Sequence, residues 1–590
     1  MTRLNGLVLA AGLCMGLAAA HAAPPVLDRI PADAAMVVAA PSLDRLEKSA
    51  KTLSTTLDQP LPFDGVQSLL KMGGIEKGID STKSLALVIF GPKAGQTVEE
   101  WQASDEPPMV VLVPTTDFKA LTGNFADAKA EGDITEISLD GNPAFVKSAG
   151  DGYAVVGADR ALVASFVSRP GNLKAHEAAL GKTLNSIADE SDVVFLANLA
   201  VLRPVIAEGM KGAFSKMADQ MAMMGGAAAP DMEAVEDQLG KFLDQSKMAA
   251  IGARAEGAGV SLDFGASFIE GSELAKTFST SGDTASLIKK LPMQPYFMLV
   301  AMDLSSPGLK GFMKQMASLS KAPGAEKAPE IFMSQIDAMD GQAVSVGFAP
   351  GLMMGSGLFI NTVAYVKTKD PAGFINGVKS SMQSVNGMAM QGMSFEGKFT
   401  PEATKVSDVS VDAWEMKITP PEDNPMAGQM MMMMYGAAGG PTGYLAKADG
   451  GVIQTFSKNS MLMAAALDAA KGKNTMEGDA TVAQVAERLP KGRVFEGYLG
   501  VKSLMDMVGP MMAMMGGPQM QVPENLPPIG MGLGASDGSA RFGLFVPAQV
   551  IKTAADIAKS FQESMGGGMD EMEDEEAAPA DPKPAGQPRF

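Results

Sequence analysis

The 590-residue chain is 46% hydrophobic and 19% charged, with a net charge of −19. That is too apolar for a disordered polymer and too long for one hydrophobic core, so it predicts two globular bodies. The acidic balance, without a Lys/Arg cluster interleaved with stacking aromatics, argues against nucleic acid as a partner, and one cysteine with two histidines leaves no usual zinc ligand set.

Residues 1–22 read as a secretory signal peptide: Arg3 gives the positive start, Leu7 to Ala20 the apolar stretch, and Ala20-His21-Ala22 the small-x-small cleavage site. Leu13 is too bulky to precede a lipidated Cys14, so cleavage after Ala22 leaves a mature chain without a thiol. No later stretch reaches the roughly 18 uninterrupted apolar residues of a membrane span. An exported protein, periplasmic or secreted, is expected.

The first domain is placed at 23–285. Ile30-Pro31-Ala32-Asp33 leads into a strand at 34–40, and Ser42-Leu43-Asp44 opens a helix to about 57. A strand at 110–113 precedes a helix at 116–124 with Asp117 near its N-terminus. Asp151-Gly152 turns into a strand at 153–156, followed by a helix at 159–167. His176, within Leu173–Leu180, reads as part of an exposed helix face. Gly181-Lys182-Thr183 imitates the end of a phosphate loop, but His176 stands where the loop's first glycine belongs. A strand at 193–196 gives way to helical residues 199–243, which carry Met210, Met217, Met221, Met223 and Met224. A hairpin over 249–255 and 260–268 and a helix at 270–278 close the half.

The second domain, 286–564, repeats this order. Leu291-Pro292 opens it, with strands at 296–302, 363–366, 451–453 and 494–499 and a hairpin over 529–536 and 540–546. Two additions are a Met-rich insertion near 383–440, holding Met430, Met431, Met432, Met433 and Met434, and a second methionine group from Met505 to Met515. Met-Ala-Met-Met-Gly-Gly stands at both 221–226 and 512–517, which marks an internal duplication. Asp-Gly pairs at 140–141, 151–152, 340–341, 449–450 and 537–538 predict hairpin turns. The fold class is therefore α+β: two homologous tandem halves, each a largely antiparallel sheet with helices mainly on one face. The acidic Gly/Pro/Ala-rich tail, 565–590, is expected to be disordered.

Catalytic motifs fail one by one. His176 is the only histidine after cleavage, and no G-x-S-x-G elbow occurs. Ser286/Lys289 and Ser318/Lys321 fit Ser-x-x-Lys without a partner motif, and Gly530 to Gly534 runs into a hairpin, as a close-packed strand would. No catalytic residue and no cofactor is predicted. Spacing nominates no carboxylate pair, which leaves a hydrolase with unidentified carboxylates as one alternative. The other is a periplasmic copper-binding protein using the soft thioethers of Met430 to Met434. Apolar packing or an adaptable partner surface is the favoured reading of these methionines, and Trp101 and Trp414 read as packing residues.

Ile30-Pro31-Ala32-Asp33, the Ser42-Leu43-Asp44 helix start and the repeated strand-strand-helix units resemble a family of exported bacterial proteins of unknown function. The second copy departs from the motif at Leu291-Pro292-Met293-Gln294. The resemblance implies an envelope or secreted location and carries no catalytic residues. The expectation is a non-enzymatic binding or scaffolding protein of the cell envelope, its partner an envelope protein, lipid or glycan. Its site is expected at the junction of the halves or on Met430 to Met434.

Overall fold

The structure, a computed structural model, describes residues 23–57, 68, 70–71, 74–92, 96, 101, 108–139, 141–168, 171–209, 232–318, 327–347, 357–390, 392–421, 425–514 and 522–566. Ala20 and Ala22 of the expected signal peptide, the first Met-Ala-Met-Met-Gly-Gly copy, Met515, Lys321 and the tail from 567 lie outside them.

The first half supplies β1 (Met36–Ala40), β2 (Leu85–Ile89), β3 (Met109–Pro114), β4 (Lys129–Glu131), β5 (Ile134–Leu139), β6 (Asn142–Gly150), β7 (Tyr153–Gly157), β8 (Val193–Asn198), β9 (Ser246–Glu256) and β10 (Gly259–Phe268). The second supplies β11 (Tyr296–Asp303), β12 (Gly341–Gly347), β13 (Asn361–Lys367), β14 (Ala389–Met390), β15 (Met393–Val406), β16 (Val409–Thr419), β17 (Thr442–Ala448), β18 (Gly451–Thr455), β19 (Arg493–Leu499), β20 (Ile529–Ser536) and β21 (Ser539–Pro547). Antiparallel pairing joins all of them into one sheet.

From the centre outward the order is β10-β9-β8-β1-β2-β3-β7-β6-β5-β4 on one side. On the other it is β21-β20-β19-β11-β12-β13-β18-β17-β16-β15, with β14 beyond. The two sequences of pairing are the same. β10 and β21 join them through nine register pairs, from Gly259↔Pro547 to Ser267↔Ser539. Matching the hairpins β9–β10 and β20–β21 makes Asp263 and Gly543 equivalent, and these two are also register partners, so a local twofold axis passes between them. The helix Pro425–Tyr435 stands between β16 and β17, whereas their counterparts β5 and β6 pair from Leu139 and Asn142 onward.

Turn chemistry explains much of this layout. Asp151-Gly152 and Asp537-Gly538 have positive φ at both positions (44° and 78°, 50° and 69°), the conformation that two-residue hairpins require. Asp340-Gly341 makes no hairpin. It links the helix Lys327–Ala338 to β12, and the Asp340 N–H donates to the Lys367 carbonyl.

Helices cover both faces of the sheet. On one, Leu196 and Ala250 pack beneath the helix Leu173–Glu190, Leu112 and Val155 beneath the helix Arg160–Ser165, and Tyr365 and Ile453 beneath the helix Ser460–Ala470. On the other, Val366, Val452 and Leu445 pack beneath the helix Pro371–Ser384, and Ala40 and Val193 beneath the helix Leu43–Leu57. The α+β class stands, with helical cover on two faces. β13 shows why: Asn-Thr-Val-Ala-Tyr-Val-Lys is a near-continuous apolar run, buried from Thr362 through Val366, as a two-sided core strand must be.

His176 corrects an expectation. It is 4% exposed and shares its turn with buried Leu180, before a non-helical Gly181 (φ 69°, ψ −179°) that separates this piece from the one carrying Leu184 and Ile187, and its Nε2 lies 2.9 Å from the Ile30 carbonyl. The charged residues around it predict an outward face, but the segment Pro25–Arg29 and Ile30 pack against this turn and cover the imidazole. Burial lowers its pKa against the opposing pull of the Ile30 bond.

Candidate binding face at the junction of the halves

β10 reads Gly-Val-Ser-Leu-Asp-Phe-Gly-Ala-Ser-Phe, alternating apolar with small or polar side chains. A strand of this kind ordinarily turns its apolar side to the covering helix. Here the polarity is reversed: Ser261, Asp263 and Ser267 are buried, while Leu262 is half-buried and Phe264 is 42% exposed. β21 repeats the pattern, with Ser539 and Gly543 buried and Phe542 and Leu544 half-buried.

Small residues make the reversal physically workable. A Cβ at Gly252 would lie 2.0 Å from Ser191 Oγ, and one at Gly265 would lie 2.5 Å from Ile187 Cδ1, so the helix Leu173–Glu190 sits directly on the backbone. Across the twofold, a Cβ at Gly543 would meet Pro490 Cδ at 2.6 Å and one at Gly530 would meet Val485 Cγ1 at 2.3 Å. Gly530 to Gly534 is thus a close-packed strand.

The charges on this covered face answer one another. Arg541 donates from Nε to Asp263 Oδ1 (2.8 Å), from Nη1 to Ser186 Oγ (2.9 Å) and from Nη2 to Glu190 Oε2 (2.7 Å). Burial disfavours the Arg541 charge, but Asp263 and Glu190 outweigh it and raise the pKa. Burial likewise pushes Glu190 up, yet Arg541, Ser186 and Arg254 hold it below its ordinary value. Arg488 of the second half pairs with Glu256 of the first, and Thr183 Oγ1 lies 3.1 Å from Ser536 Oγ at the equivalent position. Further out, Asp192 takes Arg45 Nε at 2.7 Å, and Glu496 takes Arg493 Nε at 2.9 Å, Thr284 Oγ1 at 2.5 Å and the Tyr498 hydroxyl. These carboxylates tie elements together.

The opposite face of the same strands carries no charge along its central lane. Phe195, Ile251, Phe264, Phe542, Leu533 and Phe495 are successive register partners across β8-β9-β10-β21-β20-β19. The Phe264 and Phe542 rings lie 6.2 Å apart. The lane runs on through Val38, Leu87 and Val111, and at the other end through Met302 to the polar Gln342. A second lane, related by the twofold, holds Ala253, Leu262, Leu544 and Met531. Backbone N–H and C=O groups of these central strands are engaged in the ladder, so the floor offers hydrocarbon and thioether surface only.

Among the described residues, helices cover the strand ends and leave the middle exposed. Residues 199–209 place Leu199, Leu202 and Ile206 over Phe195 and Ala249. Val501 and Met505 of the helix Val501–Met514, with Val550 of the helix Ala548–Gly566, pack against Ile529 and Val546. Between them Ile251 is 41% exposed and Phe264 42%. Fully burying a side chain of this size is worth about 1.5–3 kcal/mol.

Met430 to Met434 stand elsewhere, on the helix Pro425–Tyr435. Met431 is 9% exposed, whereas Met430, Met432 and Met433 are 53%, 58% and 53%, so the five consecutive thioethers do not converge on one point. Met426, Met430 and Met433 form its outward stripe. Among the described residues no group of three His, Cys, Asp or Glu side chains could hold a metal ion. Lys289 of the Ser-x-x-Lys match is exposed and pairs with Glu477 at 2.7 Å.

Phe264, Ile251, Phe542 and Leu544 were not singled out by sequence, because alternation alone assigns them to the core. The available signal was the opposite register, Ser261-Asp263-Gly265-Ser267, whose neighbours Gly252 and Gly543 leave space for a helix and no space for large side chains. The fold and site define an α+β protein with one continuous antiparallel sheet and an open apolar centre. No family model, no curated protein and no solved structure matches the chain.

Proposed function

We propose that this chain is an exported, non-enzymatic binding protein of the bacterial cell envelope, a member of the exported family it resembles, which holds an apolar partner against the open centre of its sheet. The observation that carries the reading is the reversed polarity of β10 and β21. Ser261, Asp263, Ser267 and Ser539 are buried at the junction, while Leu262, Phe264, Phe542 and Leu544 face outward. A contiguous apolar surface rimmed by helices is the usual mark of a binding site. Export rests on the N-terminal sequence, and among the described residues no helix is long and apolar enough to cross a membrane.

The test is titration with N-phenyl-1-naphthylamine, an uncharged dye that brightens in apolar surroundings. Saturable binding is expected, weakened at least ~10-fold by Phe264→Asp and Ile251→Asp, because a carboxylate on the floor would be desolvated without a partner. Met430→Asp should leave it unchanged. Loss of binding in Met430→Asp with none in Phe264→Asp would move the site to the methionine helix and end this reading.

A further inference from the structure

We propose that the outward methionines of the helix Pro425–Tyr435 are a modification site, oxidised to sulfoxides by hypochlorous acid so that the thioethers inside the protein are spared. Among the described residues six methionines are more than half exposed. Four of them, Met426, Met430, Met432 and Met433, stand on this one helix, whereas Met293 and Met461 stand singly elsewhere. Exposure along the helix stripe runs from 53% to 71%, against 9% for Met431 in its midst. Cys14, the one cysteine, belongs to the expected signal peptide, so an exported chain meets oxidants with thioethers and no thiol. A metal needs several sulfurs to converge. Sulfoxidation takes them one at a time, and so suits a stripe whose members do not meet.

The step balances without any group beyond the oxidant and water. The sulfur lone pair attacks the chlorine of hypochlorous acid and hydroxide leaves. Water then adds at sulfur, chloride departs, and two protons are lost, one of which neutralises the hydroxide. Sulfur gives up two electrons, chlorine takes them, and each thioether consumes one oxidant. The helix is held by groups that this reaction does not touch. Leu358 and Phe359 N–H donate to the Met433 and Met434 carbonyls at 3.0 and 3.1 Å, satisfying acceptors that a helix end leaves open. The Tyr435 ring packs against Phe359, and Met431 faces inward. A sulfoxide oxygen on the outward sulfurs stays in water, whereas one on Met431, Met463 or Met476 would be a polar group forced into the interior.

The experiment treats the protein cleaved after Ala22 with limiting hypochlorous acid and locates each sulfoxide by fragment-ion mass spectrometry. Met426, Met430, Met432 and Met433 should react at least ~10-fold faster than Met431, Met463 and Met476, with Met293 and Met461 reacting alongside the stripe. Circular dichroism and melting temperature should stay unchanged until the stripe is spent, and methionine sulfoxide reductase with a dithiol should restore the mass. Replacing all four outward residues (Met426→Leu, Met430→Leu, Met432→Leu, Met433→Leu) should send the same dose into the buried methionines and lower the melting temperature. If that variant does not fold, the order of oxidation and the melting of the unaltered protein decide. Met431 keeping pace with its neighbours, a melting temperature that falls as the stripe is oxidised, or no added oxidation of buried methionines in the folded variant would each overturn the proposal. Phe264→Asp should oxidise in the same order as wild type, which separates this site from the junction face.

Discussion

Asp189 stands apart from the matched charges around it. Its Oδ1 is buried without a hydrogen-bond partner, and burial, reinforced by the charges of Glu190 and Glu177, pushes its pKa up to about 6. Glu190, the next residue, is held low by Arg541, Ser186 and Arg254, so the two adjacent carboxyls are driven in opposite directions. A folded-state pKa above the unfolded value means the folded chain binds the proton more tightly. The contribution to stability is present at pH 4 and is lost as pH rises through about 6. Asp189→Asn removes the ionisation and keeps the shape. The variant should melt higher than wild type at pH 7, and its melting temperature should fall less between pH 4 and pH 7. Parallel curves for the two proteins would refute the assignment. Asp263, also buried, does have a partner, its Oδ1 accepting from Arg541 Nε at 2.8 Å.

At the scale of elements, the junction works because glycines lie wherever a helix crosses the central strands. Gly252 faces Ser191 and Ile187, and Gly543 faces the rigid Pro490 ring. Gly252→Ala and Gly543→Ala should each cost about 1–3 kcal/mol, the range for overpacking a filled site, read as a drop in the urea midpoint with an unchanged slope. A glycine substitution in an exposed turn such as Gly132, where nothing approaches the new Cβ but φ is 67°, acts instead through backbone strain and serves as the comparison. Strands and turns were largely legible in the sequence. The β9–β10 and β20–β21 hairpins fall where alternating runs predicted them, and so do the starts of β1, β3, β11 and β13. Which face of β10 looks outward was not legible, because alternation fixes the two faces and not the element that covers either one. His176 escaped for the same reason: Lys174 and Glu177 suggest solvent, and only the packing of Ile30 and the segment before it shows the imidazole covered. Asp340-Gly341 failed as a hairpin because a helix precedes it, which the dipeptide alone does not encode.

For the whole molecule, the continuous sheet makes a specific claim about cooperativity. Two bodies joined only by a linker unfold separately, but β10 and β21 share nine register pairs, and Arg541, Arg488 and Thr183 reach from one half into the other. The two tryptophans allow this to be measured, since Trp101 lies in the first half and Trp414 in the second, 8% and 3% exposed. Trp414→Phe leaves a fluorescence signal from the first half alone, and Trp101→Phe one from the second. Both single-tryptophan proteins should give the same urea midpoint. Arg541→Met, placed in each background, sharpens the claim. It leaves Asp263 and Glu190 facing each other's element without their shared cation, and breaking a buried pair from one side costs about 3–5 kcal/mol. Because the lost contacts bridge the halves, both midpoints should fall together. A fall confined to the Trp414 signal, or two distinct midpoints before the substitution is made, would mean that the halves fold as separate units. The apolar patch on the local twofold would then be a contact between neighbours, with a width free to change, and no longer a fixed bed for a ligand.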